Sequence, residues 1–83
     1  MRVTLVSPEG SLFDGDASDL VAPAFDGLVG VLPGHAPFLT LLGSGVLRIT
    51  QAGTTSRFTV ANGLLQVVGD GVLVVAERAT TAV

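Results

Sequence analysis

The sequence predicts an all-β fold, a sandwich or barrel of short strands, and three observations carry that prediction. Short apolar runs recur at intervals near ten residues, each ended by Gly, Pro or Asp. Val and Thr dominate the runs, and β-branched side chains favour extended backbone. The 11 glycines leave no uninterrupted window of helical length.

The elements follow in order. Arg2–Val6 alternates around Val3 and Leu5, and Pro8-Glu9-Gly10 supplies a turn. Ser11–Phe13 is a short strand ended by Asp14-Gly15. Ala17–Ala22 is stopped by Pro23, and Asp26-Gly27 turns the chain into Leu28–Leu32. Pro33-Gly34-His35-Ala36-Pro37 is irregular, because its prolines lack amide donors and restrict their neighbours. Phe38–Leu42 is extended, Gly43-Ser44-Gly45 turns, and Val46–Thr50 follows. Ala52-Gly53 closes a hairpin into Ser56–Ala61. Asn62-Gly63 is the strongest hairpin signal, since both residues tolerate positive φ. Leu64–Val68, the Gly69-Asp70-Gly71 turn and Val72–Ala76 complete the set. The domain is placed at residues 1–79, with 80–83 as a frayed tail.

Composition narrows the function. At 83 residues there is room for one core. No run reaches the roughly 18 apolar residues of a membrane helix, and no secretory signal pattern is present. The absence of Cys excludes disulfides, thiolate zinc sites and a cysteine nucleophile. Four arginines against seven acids give a net charge of −3, unfavourable for wrapping nucleic acid. A 48% hydrophobic content is too high for a disordered chain and high for a small soluble monomer.

Two runs place that surplus. Phe38-Leu39-Thr40-Leu41-Leu42 and Val72-Leu73-Val74-Val75-Ala76 are apolar on both faces, where a half-exposed strand alternates. The second face either meets a partner or belongs to a sheet corner that gives both faces to one core.

Catalytic groups are scarce. His35 is the single histidine, and a relay through Ser7 or Ser44 lacks the spaced glycines of a nucleophile elbow. The reading for His35 is a loop residue whose ring hydrogen-bonds the backbone. Asp14, Asp16 and Asp19 lack the further oxygen ligands and late Glu of a calcium loop, so they read as Asx turns at strand ends. Gly27, Gly30 and Gly34 make no dinucleotide fingerprint. Arg48 and Arg57 flank a hairpin and read as solvated. No metal, cofactor or enzyme chemistry emerges.

Gly30-Val31-Leu32-Pro33-Gly34-His35-Ala36-Pro37 closely resembles the signature of the epsilon subunit of F-type ATP synthases, in its N-terminal β-sandwich domain. The flanks agree in order: Val6-Ser7-Pro8-Glu9, Phe13-Asp14-Gly15, Gly45–Ile49, Phe58–Val67 with Asn62 in place of one hairpin glycine, and Val72–Ala79. The resemblance spans Val3 to Ala79. It implies, together with the turn spacing, a flattened two-sheet β-sandwich of about ten short strands.

The resemblance also implies a function: a non-catalytic rotor component of the central stalk, joining the gamma subunit to the membrane c-ring. Such a subunit is peripheral, on the cytoplasmic face of the plasma membrane or the matrix or stromal face of an organelle membrane, without inserting into the bilayer. Ser7, Phe38, Thr40 and Leu42 are the gamma-facing candidates; Asp26, Leu28 and His35 are the ring-facing ones. At Leu28 the family often has an acid, and the resemblance offers Asp26, two residues earlier, as its substitute. Family members continue into a C-terminal helical hairpin that restrains hydrolysis and in some members binds ATP. The 83 residues stop short of it, as a naturally short subunit or one domain of a longer product would, and no ATP binding is expected of them. The alternative is a small-ligand-binding β-domain, against which the absence of Trp and Tyr weighs.

Overall fold

A computed structural model of the chain describes residues 1–82. Seven strands form, β1 (Arg2–Ser7), β2 (Gly10–Asp16), β3 (Asp19–Ala24), β4 (Gly27–Val31), β5 (Phe38–Gln51), β6 (Thr54–Val68) and β7 (Gly71–Thr81). They hydrogen-bond in the order β2-β1-β7-β6-β5-β3-β4. All neighbours are antiparallel except β1 and β7, which run parallel.

The three long strands are bent, and the bend is written in their burial. In β5 the core takes Leu42, then Leu47 and Ile49; in β6 it takes Phe58 and Val60, then Leu65 and Val67. In β7 it takes Val72, Val74 and Ala76, then Ala79. Each strand therefore switches the parity that faces inward, against the strict two-residue period of a straight strand. The switches fall on one transverse row, since Leu42 opposes Gly63 and Gly63 opposes Ala76. Asn62 and Gly63 supply the conformational freedom, with φ of 59° and 132°. Four short strands and three bent ones give ten straight segments in two layers.

The sheet folds onto itself around those bends. Phe13 of β2 and Phe58 of β6 meet edge-on with ring centroids 6.2 Å apart, although β1 and β7 lie between their strands in the sheet. Gln51 of β5 donates from Nε2 to the Asp16 carbonyl of β2 at 2.6 Å. Ala17 N–H donates to the Met1 carbonyl, and the Met1 ammonium lies 3.2 Å from an Asp16 carboxylate oxygen. The core between the layers holds Val3, Leu5, Leu20, Leu47, Ile49, Leu65 and Val74, each fully buried.

Several expected boundaries move. Asn62-Gly63 and Gly43-Ser44-Gly45 are bends inside β6 and β5, because the pairing across them continues in register. Asp14-Gly15 lies inside β2 opposite Thr4 and Val3, where Arg2 Nη2 reaches the Asp14 carboxylate at 2.8 Å. Pro23 lies inside β3 at the point where its pairing with β5 slips, so its missing N–H breaks no ladder there. The tail expected at 80–83 is strand through Thr81: Thr80 opposes Thr59, Thr81 opposes Phe58, and Ala82 N–H donates to the Arg57 carbonyl. Val83 lies outside the described residues. The hairpins at Pro8-Glu9, Ala52-Gly53 and Gly69-Asp70 form where expected. Ala52 and Gly53, at φ of 45° and 83°, match the twist of the strands they join.

Candidate partner-binding surface

The outer face of one layer is apolar across four strands. Leu41 on β5 opposes Leu64 on β6, Leu64 opposes Val75 on β7, and Val75 pairs with Val6 on β1. One pair of residues along, the row reads Leu39, Gln66, Leu73 and Thr4. Leu39, Leu41, Leu64, Leu73 and Val75 are all exposed, Leu39 to 65%. The two runs that are apolar on both faces thus lie in one layer, with their second faces turned outward. A sheet corner closing both faces into one core is not what forms.

The gamma-facing candidates on β5 lie on the core side of their strand. Leu42 is 3% exposed and belongs to the core, Phe38 packs against it, and Thr40 is half-buried between them. The alternation puts Leu39 and Leu41 outward, so these present the apolar surface. Ser7 ends β1 at the margin of this face, but its hydroxyl is buried and has no hydrogen-bond partner among the described residues.

Two clefts cut into the face along the bend. One, of about 590 Å³, is lined by Phe25, Leu41, Asn62, Gly63, Leu64 and Glu77, among others. The other, of about 330 Å³, includes Val6, Ser7, Pro8, Gly63, Val75 and Glu77. Gly63 and Glu77 border both, so the clefts sit side by side along the bend, one toward β5 and one toward β1, and together form a groove interrupted by Glu77.

The ring-facing candidates share one margin of the sheet, because β4 is an edge strand. They do not form one loop. Asp26 sits in the β3–β4 turn, Leu28 is 70% exposed near the start of β4, and His35 lies beyond its far end. Five strand residues hold the ends of β4 about 13 Å apart. A ring nitrogen of His35 lies 2.9 Å from the Ala36 carbonyl, and the ring is tilted over Phe38 at a centroid distance of 5.0 Å. Leu32 N-terminal to it closes a turn, its carbonyl accepting from the His35 N–H. No group of His and acidic side chains able to hold a metal ion occurs among the described residues. Among them, no helix is long and apolar enough to cross a membrane.

Residues 1–82 match the family model for the β-sandwich domain of the ATP synthase delta/epsilon chain. The chain belongs to that family. The ATP synthase epsilon chain of Pelotomaculum thermopropionicum is 42% identical over 81 residues, covering 98% of this chain and 60% of the relative. That of Myxococcus xanthus is 38% identical over 79 residues, covering 95% of this chain and 58% of the relative. The chain thus spans about 60% of the length of these epsilon chains. The Frankia casuarinae epsilon chain differs in extent: 42% identical over 80 residues, it is 94% covered. Among solved structures, a chain of the Euglena gracilis mitochondrial ATP synthase OSCP/F1/c-ring assembly superposes with a TM-score of 0.88 at 20% identity. It is covered over 51% of its length, and this chain over 95%. A chain of the Tetrahymena thermophila central stalk and c-ring superposes at 0.81 with 18% identity, covering 96% of this chain and 65% of that one. These likenesses establish the delta/epsilon sandwich as the fold.

Proposed function

We propose that the chain is a central-stalk rotor component of an F-type ATP synthase, joining gamma to the c-ring and carrying ring rotation toward the catalytic head. Its contribution is mechanical: a densely packed two-layer body transmits torque without chemistry of its own. It works as a peripheral component, on the cytoplasmic face of the plasma membrane or the matrix or stromal face of an organelle membrane.

The observation that carries this reading is the apolar outer face on a delta/epsilon sandwich. Isolated exposed leucines are ordinary, whereas a contiguous apolar sheet face marks a protein interface. Leu39, Leu41, Leu64, Leu73 and Val75 supply the gamma-facing side in this proposal, in place of Phe38, Thr40 and Leu42. Ser7 lies at its rim. The β4 margin, with Asp26, Leu28 and His35, is proposed to face the ring.

Co-elution of the purified chain with the gamma subunit of the same synthase tests the reading. The wild-type chain is expected to travel with gamma and Leu41→Glu to separate from it. A wild-type chain that elutes alone at micromolar concentrations contradicts the proposal.

A further inference from the structure

The groove along the bend has a chemistry more specific than its apolar walls. Phe25, Leu41 and Leu64 line its β5 half, and Val6, Pro8 and Val75 its β1 half. Between the halves stands Glu77, which borders both clefts. The ion pairs among the described residues involve only the Met1 ammonium and Arg2, so Glu77 has no cation there. The Phe25 N–H donates to the Leu41 carbonyl at 3.1 Å, which holds the Phe25 end of the groove against β5.

Strand spacing sets the length of what fits. From β5 to β1 is three steps of about 4.8 Å, so the groove is about 14 Å long. That matches an α-helical segment of about nine or ten residues at 1.5 Å per residue. Covering Glu77 with an apolar segment alone would strip a carboxylate of water with nothing in exchange, at a heavy cost. A cation at the centre of the segment supplies a charge-assisted partner and converts that cost into specificity.

We infer that the groove receives a helical segment of the gamma subunit, apolar at both ends, with a Lys or Arg at its centre that pairs with Glu77. The inference rests on the gamma-facing role proposed above. It differs in naming the partner's chemistry: charge complementarity at Glu77, not hydrophobic area, selects the register in which the segment lies.

Two measurements on the full 83-residue chain separate this inference from the reading beneath it. The first is the affinity for gamma of wild type, Glu77→Gln, Glu77→Lys and Leu64→Asp, with circular dichroism confirming that each stays folded. Glu77→Gln is expected to weaken binding about tenfold, and Glu77→Lys and Leu64→Asp more than that. Binding of Glu77→Lys within about twofold of wild type, with Leu64→Asp disrupted, overturns the inference and leaves the gamma-facing surface standing. The second uses ten-residue apolar helical peptides with Arg, Gln or Glu at the centre, followed by amide shifts of Gly63, Leu64 and Glu77. The Arg peptide is expected to bind at least about tenfold tighter than the Glu peptide. A preference for Arg in a chain that ignores gamma overturns the inference, because gamma is the occupant it names. Equal binding of the three peptides, no binding of any, or a groove filled by a second copy of the chain overturns the inference.

Discussion

Phe13 and Phe58 meet edge-on at 6.2 Å and 76° across the core, from strands with two others between them in the sheet. That contact exists only because the sheet folds over, so it reports on closure of the sandwich. Phe58, 6% exposed, closes the layer formed by β3, β4 and the C-terminal half of β5; Phe13 packs against it from the opposite layer.

Phe58→Ala is expected to cost about 3–5 kcal/mol, the range for truncating a buried Phe. Phe13→Ala, partly exposed, should cost less. A double-mutant cycle in urea should return a coupling of about 0.5–1.5 kcal/mol for the aromatic pair. A coupling of zero would mean that the two layers do not depend on this contact.

Gly63 is the tightest point of the bend. A Cβ placed there would overlap the Val75 carbonyl oxygen, and its φ of 132° disfavours any side chain. Gly63→Ala is expected to unfold the chain or lower its melting temperature by well over 10 °C. Asn62→Ala, at φ of 59°, should cost only about 1–2 kcal/mol, because that conformation is strained but open. Thermal melts of the two variants give the comparison; similar losses would count against the bend as the fixed element.

Leu39 and Leu42 lie three residues apart on β5 and face opposite ways. Leu39→Glu should leave the urea midpoint nearly unchanged, since surface changes cost within about 0.5 kcal/mol. Leu42→Glu should unfold the domain, because an unpaired carboxylate would enter the core. Unfolding by both would place the Leu39 face against the chain's own core and remove it as an interface.

His35→Gln keeps hydrogen-bonding capacity at the Ala36 carbonyl and removes the imidazole. Coupling of ATP turnover to ion pumping should survive it in an assembled synthase. Lost coupling with normal assembly would assign His35 an acid–base role.

Much of this fold is legible in the order of residues. Val3 and Leu5 alternate into the core, Ala52-Gly53 makes its hairpin, and the proline-bounded Pro33–Pro37 segment is a loop. What misleads is a signal shared by two structures. Asn62-Gly63 announces positive φ correctly, but positive φ serves a bend in a continuous strand as well as a hairpin turn. The distinction is made by β5 and β7, whose partners on either side continue through the bend, and that pairing is invisible locally. The same limit governs the surface. Phe38-Leu39-Thr40-Leu41-Leu42 shows two apolar faces without saying which is outward, and only the parity of Leu42 against Gly63 decides it. The groove around Glu77 could not be read at all, since Phe25, Gly63 and Ser7 are brought together by the sheet order and not by spacing.

Reconstitution tests the proposed coupling of rotation by this sandwich most directly. The purified 83-residue chain is titrated into a synthase of matching origin depleted of epsilon, and ATP-driven ion pumping is followed in vesicles. Pumping per ATP hydrolysed is predicted to rise with added chain and to saturate near one chain per complex, with Leu41→Glu failing to restore it. A wild-type chain that binds the complex yet leaves pumping at the depleted level would contradict the account.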